Sequence, residues 1–265
     1  MSSHTLQIAS VDLDIAWADR AENLYAMNRI VTALTGRADI IVLPELFSTG
    51  FVSDSGHLAT LSDSDRNHPT LDAMKVAARR ANAAICGSIL HAATPVDGKA
   101  GYVNRCLFVE PSGEVTHYDK HHLFCMGSES RTFIAGNRPI PVVRFRGANV
   151  SMAVCFDLRF PSWLQNRADN PYDILLVPSN WPQERQYAWN ALLCARAIEN
   201  QAYVVGANRS GKDDMGTYDA MTRIYDPSGQ SVGVANPHFN ATFATADLDS
   251  LRKIRNDFPV LKCAD

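Results

Sequence analysis

Two short apolar runs constrain this chain more than any other feature. Asp39-Ile-Ile-Val-Leu-Pro-Glu45 and Asp173-Ile-Leu-Leu-Val-Pro-Ser179 share one pattern: an aspartate, an aliphatic run, a proline, then a polar residue. A run that is short and continuous, with no alternation, reads as a strand buried on both faces. In the first run Pro44 lacks a ladder donor and stops the strand. Each strand therefore needs cover on two sides, and the echo asks for two β-rich halves built alike.

The other segments supply that cover. Leu6–Val11, Ala84–Leu90 and Ala202–Asn208 read as further strands. Helical spacing over Ala21–Leu34 puts Leu24, Met27, Val31 and Leu34 on one face. Thr70–Ala81 and Gln183–Asn200 also read as helices, the second with Trp189, Leu192, Leu193 and Ala197 inward. Three hairpins are expected: Tyr102–Glu110 with Glu114–Tyr118, Pro141–Phe145 with Val150–Cys155, and Met221–Tyr225 with Ser231–Ala235. Ser48–Pro69 reads as loop, Thr242–Leu248 as a last strand, and the tail as short and partly helical. Hairpins mixed with crossovers predict mixed sheets, which argues against a Rossmann sheet. The expected fold is α/β: two mixed β-sheets face to face between helical layers, a four-layer α-β-β-α sandwich. Nothing divides residues 1–265, which read as a single domain.

Composition narrows the function classes. Apolar residues make up 46% of the 265, charged residues 20%, and the net charge is −3, so nothing points to nucleic acid. No apolar run approaches the roughly 20 residues that cross a bilayer, and Met1-Ser-Ser-His-Thr-Leu-Gln-Ile lacks the charged and apolar regions of a secretion signal. No membrane partner is expected. The cysteines, Cys86, Cys106, Cys125, Cys155, Cys194 and Cys263, are scattered without CxxC spacing. That pattern suggests neither a disulfide framework nor a zinc site, and it fits a reducing cytoplasm. No metal or other cofactor is expected.

The chemistry lies at strand ends. Val150, Met152 and Val154 alternate with small residues and lead into Cys155, with Pro161 suited to a first helical turn shortly after. A cysteine at such a turn is held out of the sheet. Glu45 follows Leu43-Pro44, and a carboxylate at the end of a buried strand needs a cation nearby or a raised pKa. Lys120 ends a hairpin strand in Tyr118-Asp-Lys-His-His-Leu-Phe124. Together they make one arrangement: a sulfur nucleophile favoured as thiolate by a neighbouring cation, a carboxylate to carry its proton, and an ammonium to hold an oxyanion.

These three segments resemble the nitrilase superfamily of carbon–nitrogen hydrolases, which use a Glu-Lys-Cys triad. The matching stretches are Leu-Pro-Glu-Leu-Phe-Ser-Thr-Gly-Phe around Glu45, Tyr-Asp-Lys-His-His-Leu-Phe around Lys120, and Val-Cys-Phe-Asp-Leu-Arg-Phe-Pro around Cys155. The resemblance runs from Leu6 to about Leu248, and it implies the four-layer fold and a homodimer or larger assembly. Glu-Leu-Phe-Ser-Thr-Gly-Phe, Asp-Lys-His-His-Leu-Phe and Ser-Asn-Trp-Pro look most like the ω-amidase branch. Those enzymes hydrolyse the terminal amide of α-ketoglutaramate or α-ketosuccinamate. The resemblance implies Glu129 as a second glutamate that supports Lys120, and a cysteine thioester intermediate. It also gives Phe156 an oxyanion role through its backbone N–H. Phe156 stands where many relatives carry Tyr, and Tyr218-Asp-Ala-Met-Thr-Arg-Ile lacks the Gly-Asp-Ser that often precedes the arginine.

Other residues have two readings each. Arg159, His121 and His122 could bind a substrate carboxylate; Arg159 could instead hold the nucleophile turn through an internal ion pair. Phe124 and Trp181 could wall the pocket or be plain core. Asp157, Arg196 and Glu199 read as structural, and Cys194 as a small core residue. Other uses of the same triad are an N-carbamoyl amine, an aliphatic amide or a nitrile. A non-catalytic scaffold on the same fold is the competing class. Specificity is expected in the loops around Ser48–Pro69 and His121–Arg138.

Overall fold

A computed structural model describes residues 4–96, 99–219 and 221–263. Calls that rest on residues 1–3, 97–98, 220 and 264–265 lie outside it: part of the N-terminal segment read for a signal, Ala220 of the Tyr218-to-Ile224 stretch, and both ends of the 1–265 domain.

The first half runs β1 (Thr5–Val11), α1 (Arg20–Ala33), β2 (Ile40–Val42), α2 (Ser55–Leu61), α3 (Pro69–Ala81), β3 (Ala84–Val96), β4 (Lys99–Val109), β5 (Val115–Asp119) and the single turn α4 (Glu129–Thr132). The second runs β6 (Val142–Phe145), β7 (Ala148–Met152), α5 (Pro161–Leu164), β8 (Ile174–Ser179), α6 (Gln186–Asn200) and β9 (Tyr203–Asn208). It closes with β10 (Gly211–Asp213), β11 (Gly216–Tyr218), β12 (Arg223–Tyr225), β13 (Val234–Asn236), β14 (Ala241–Asp247) and α7 (Leu248–Asp257).

Seven strands form one sheet, in the order β13-β14-β1-β2-β3-β4-β5, and five form another, β12-β9-β8-β7-β6. In both, a parallel trio sits in the middle, β1-β2-β3 and β7-β8-β9, with antiparallel partners outside. The sheets are mixed, as the hairpin and crossover pattern requires.

Side-chain alternation builds the layers. Ile8, Ile40, Val42, Ala84 and Cys86 of the larger sheet join Val150, Met152, Ile174 and Leu176 of the smaller in one core. The intervening Ala9, Val11, Ile41 and Ile85 turn the other way and pack with Met27, Val31, Met74 and Ala78 of α1 and α3. On the far side α6 presses Trp189, Leu193 and Ala197 inward, all with no exposed surface. The result is the α-β-β-α sandwich.

The echoed runs occupy equivalent places. Asp39 takes the Gln7 N–H on its carboxylate at 2.8 Å and the Ala84 N–H on its carbonyl at 2.8 Å. Asp173 does the same with Asn149, at 2.9 Å, and Tyr203, at 2.9 Å. Each aspartate staples the start of a central strand to both parallel neighbours.

Three expectations change. Ser48–Pro69 is not all loop, because Asp54 accepts the His57 N–H at 3.0 Å and caps the short helix α2. The strand expected to reach Cys155 stops at Met152. The third hairpin keeps its turn and first rungs, with Gly229 N–H on Asp226 and Val232 N–H on Ile224, both at 2.9 Å, but beyond them its arms part: β12 joins the smaller sheet beside β9, and β13 the larger beside β14. A turn fixes direction locally, while burial against two different sheets decides where each arm goes.

Candidate active site

The nucleophile candidate sits on strained backbone. Cys155 has φ 45°, a left-handed conformation rare outside glycine, and opens a 3-10 turn to Arg159. Such strain costs about 1–3 kcal/mol and persists only where the surroundings impose it. Buried Asp157 imposes it here. Its carboxylate accepts the Val154 N–H at 3.1 Å, the Tyr118 hydroxyl at 2.9 Å, and the His122 backbone N–H at 2.8 Å. From the helix layer, Arg196 donates twice to the Leu158 carbonyl, at 3.1 and 2.8 Å, and pairs with Glu199 at 2.8 Å. Asp157, Arg196 and Glu199 thus brace the turn, in line with a structural role.

Glu45 lies just past β2, next to a second left-handed residue, Leu46, at φ 47°. Ser88 holds that bend, taking the Leu46 N–H on its hydroxyl at 2.9 Å and the Phe47 N–H on its carbonyl at 3.2 Å. Lys120 follows β5, and its N–H donates to the Asn104 carbonyl at 2.9 Å.

These elements meet at the floor of one cavity, lined by Glu45, Lys120, Glu129 and Cys155. Lys120 is 1% exposed, and its ammonium donates to Glu45 Oε1 at 2.8 Å and to the Glu129 oxygens at 2.8 and 2.9 Å. Burial works against its charge, yet Glu45 and Glu129 outweigh it and hold the ammonium well above its ordinary pKa. An ammonium has three donors; with one N–H on Glu45 and one shared between the two Glu129 oxygens, the third is left for a ligand. Glu45 Oε2 accepts the Asn180 N–H at 3.0 Å, and the Cys155 Sγ faces the Asn180 carbonyl at 4.0 Å.

Burial, reinforced by Glu45, pushes the Cys155 thiol well above its ordinary pKa, and Lys120 pulls the other way without prevailing. The resting sulfur is therefore a thiol near neutral pH. This differs from the expectation that a neighbouring cation would favour thiolate: two carboxylates already take up that cation's field. A base has to remove the proton when it is needed.

The cavity holds about 100 Å³. Phe51, Phe124, Phe156, Trp181 and Tyr218 wall it, and Met126, Met215, Arg159 and Arg185 stand at its mouth. Phe124 and Phe156 meet edge to face at 5.3 Å. Arg159 lies over the Trp181 ring at 4.9 Å and Arg185 over the Phe124 ring at 5.4 Å. Neither arginine has a carboxylate within ion-pair reach among the described residues. The internal ion pair considered for Arg159 is thus absent there, because the guanidinium turns out over the tryptophan.

Of the predicted residues, Glu45, Lys120, Cys155, Glu129, Phe156, Phe124, Arg159 and Trp181 all line this cavity. His121 and His122 do not. His121 stacks on Trp163 at 3.7 Å and bonds the Gly136 carbonyl, and His122 stacks on Phe160 at 3.6 Å and bonds Asp157. Both buttress the turn. Sequence reasoning missed Asn104, whose amide donates to Glu45 Oε1 at 2.8 Å, and also Arg185, Met215 and Tyr218. Asn104 sits in a predicted strand, on the same face as Cys106 and Phe108, and a polar residue in that apolar row is the signal that marks it. Among the described residues, no cluster of three His, Cys, Asp or Glu side chains could hold a metal ion. Among the described residues, no helix is long and apolar enough to cross a membrane.

Comparison with known proteins agrees with this geometry. The family model described as carbon-nitrogen hydrolase matches residues 7–256. Omega-amidase YafV of Escherichia coli (strain K12) is 40% identical over 263 residues, covering 98% of this chain and 97% of that one. 2-Oxoglutaramate amidase of Bacillus subtilis (strain 168) is 27% identical over 254 residues, covering 96% and 95%. Among solved structures, XC1258 from Xanthomonas campestris, a CN-hydrolase superfamily protein with an arsenic adduct in its active site, superposes with a TM-score of 0.89 at 33% identity, covering 99% of this chain and 98% of that one. Saccharomyces cerevisiae Nit3, a member of branch 10 of the nitrilase superfamily, shares the fold at a TM-score of 0.83 and 20% identity, covering 97% and 95%.

Proposed function

This chain belongs to the carbon–nitrogen hydrolase family, and within it we propose that it hydrolyses the terminal amide of a small ω-amido keto acid, α-ketoglutaramate or α-ketosuccinamate, through a thioester on Cys155. The observation that carries this is the convergence of Glu45, Lys120, Glu129 and Cys155, from four separate segments, on one small cavity. The similarity to an omega-amidase and a 2-oxoglutaramate amidase supports the substrate class.

The steps follow from the positions. Glu45 takes the thiol proton and the sulfur attacks the amide carbon. The free donor direction of Lys120 and the N–H of Phe156 hold the oxyanion; losing one such donor typically costs on the order of 10²–10³ in rate. Glu45 returns the proton to nitrogen and ammonia leaves. Glu45 then activates water, which releases the acid and frees the sulfur. Glu129 keeps Lys120 charged and aimed. At the mouth, Arg159 and Arg185 offer guanidinium edges to the substrate's carboxylate while their faces rest on Trp181 and Phe124.

The same reading takes the protein as cytoplasmic, without metal or other cofactor, and as a homodimer or larger homo-oligomer. Exposed Tyr187 and Ile198 on α6 support self-association. Sedimentation at micromolar concentration tests that state. The substrate assignment is tested by ammonia release from a panel of ω-amido keto acids, neutral aliphatic amides, N-carbamoyl amines and nitriles. Highest kcat/KM on the keto acids is expected; preference for another class would replace this substrate, and no ammonia from any would favour a scaffold.

A further inference from the structure

The two oxygens of Glu45 are not equivalent. Oε1 accepts from Lys120 at 2.8 Å and from the Asn104 amide at 2.8 Å, while among the described residues Oε2 accepts only the Asn180 N–H, at 3.0 Å. Asn180 also links the two reacting groups, since its N–H meets Oε2 and its carbonyl faces the Cys155 sulfur at 4.0 Å. Of the two Glu45 oxygens, Oε2 is the one that shares Asn180 with the sulfur and carries no charged partner.

Asn104 has no exposed surface, and its amide also reaches Glu129 Oε1 at 3.5 Å. Its backbone carbonyl holds the Lys120 N–H at 2.9 Å. The ladder therefore sets both donors side by side, one charged and one neutral, each spanning the same two carboxylates. The Asn104 Oδ1 is buried and unpartnered. Flipping the amide would turn that oxygen onto two carboxylates, so charge fixes its orientation. An orphaned buried acceptor costs stability, and what this chain gains for it is the amide N–H on Glu45.

We infer that Asn104 is a positioning residue that ties down Glu45 Oε1 so that Oε2 alone shuttles protons. The inference rests on the cysteine-hydrolase reading above. In the first step the S–H bond breaks, an O–H bond forms at Oε2, and the sulfur bonds to the amide carbon. When the C–N bond breaks, the same Oε2–H passes to nitrogen. Without Asn104 the carboxylate pivots about Lys120, and the proton is no longer aimed at sulfur or at the leaving nitrogen.

The test uses Asn104→Ala and Asn104→Leu, the second retaining bulk without a donor. Two rates are read: kcat and KM for amide hydrolysis, and alkylation of Cys155 by iodoacetate at neutral pH, located by peptide mass mapping. Thermal midpoints check folding. The expected result is a fall in kcat on the order of 10²-fold with KM little changed, and slower Cys155 alkylation in both variants. Wild-type kcat and alkylation in a folded Asn104→Leu would overturn the inference. Turnover lost with alkylation unchanged would also overturn it, by assigning Asn104 to the substrate. If the wild type turns over no ω-amido acid yet alkylation slows in the variants, the positioning role stands and only the substrate reading falls.

Discussion

The floor and the mouth of the cavity are built on opposite terms. At the floor, Lys120, Glu45 and Glu129 are each at most 5% exposed and all three are linked by hydrogen bonds. Glu45 and Lys120 hang just past strand ends, and Glu129 opens α4. At the mouth, Arg159 and Arg185 are exposed and braced only by ring faces, and Met126 and Met215 are 71% and 49% exposed. A closed network tolerates little change, because removing one member strands the others in low dielectric. An open rim of cations and thioethers can be altered without cost to the fold. The difference teaches that the bond-breaking machinery and the choice of substrate are separable here, and each prediction below either breaks that separation or sharpens it.

The largest effect is expected at the sulfur. Cys155→Ala should lower kcat by on the order of 10⁴-fold or more with the thermal midpoint within a few degrees, since the turn is held by Asp157 and Arg196. Next comes Lys120→Ala, which should lose activity by at least the 10²–10³-fold of one oxyanion donor. It should also lose stability by about 3–5 kcal/mol in denaturant titration, because two buried carboxylates are left without their cation. A floor lysine that could be removed with no stability loss would contradict the closed network.

At the mouth the split should reverse. Arg159→Gln and Arg185→Gln should each raise KM for a carboxylate-bearing amide by about ten-fold, the low end for hydrogen bonds to a charged group at an exposed site, and leave kcat and stability near wild type. A neutral amide of equal length should show no such change, and equal losses on both substrates would break the separation.

The smallest effect lies behind the wall. Burial raises the Asp12 carboxyl to about 6 despite the Thr222 hydroxyl that bonds it. Thr222 in turn accepts the Asn208 N–H at 3.4 Å, and Asn208 takes the Trp181 N–H at 2.7 Å. Since the folded state holds this proton more tightly than the unfolded chain, stability falls as pH rises from about 4 to about 6 and stays lowered above that. Asp12→Asn should flatten that slope and raise stability at pH 7, read by denaturant titration across pH 4–8, without altering kcat.

Much of this was legible in the chain. The paired runs Asp39–Glu45 and Asp173–Ser179 imply two central strands covered on both faces, and three separated motifs imply Glu45, Lys120 and Cys155. What escaped was whatever depends on contacts between distant segments. Ser231–Ala235 reads as the second arm of a hairpin because the turn signal is local, while the sheet it joins is not. His121 and His122 look like ligands until Trp163 and Phe160 are found stacked on them. Asn104 looks like an ordinary strand residue until Glu45 arrives from 59 positions away.

The most direct measurement is acid-quenched mass spectrometry of the wild-type enzyme during turnover of α-ketoglutaramate, with peptide mapping of the modified residue. The account predicts an adduct on Cys155 equal to the substrate less ammonia, appearing before the acid product and vanishing when substrate runs out. Ammonia release with Cys155 unmodified throughout, and undiminished in Cys155→Ala, would contradict it.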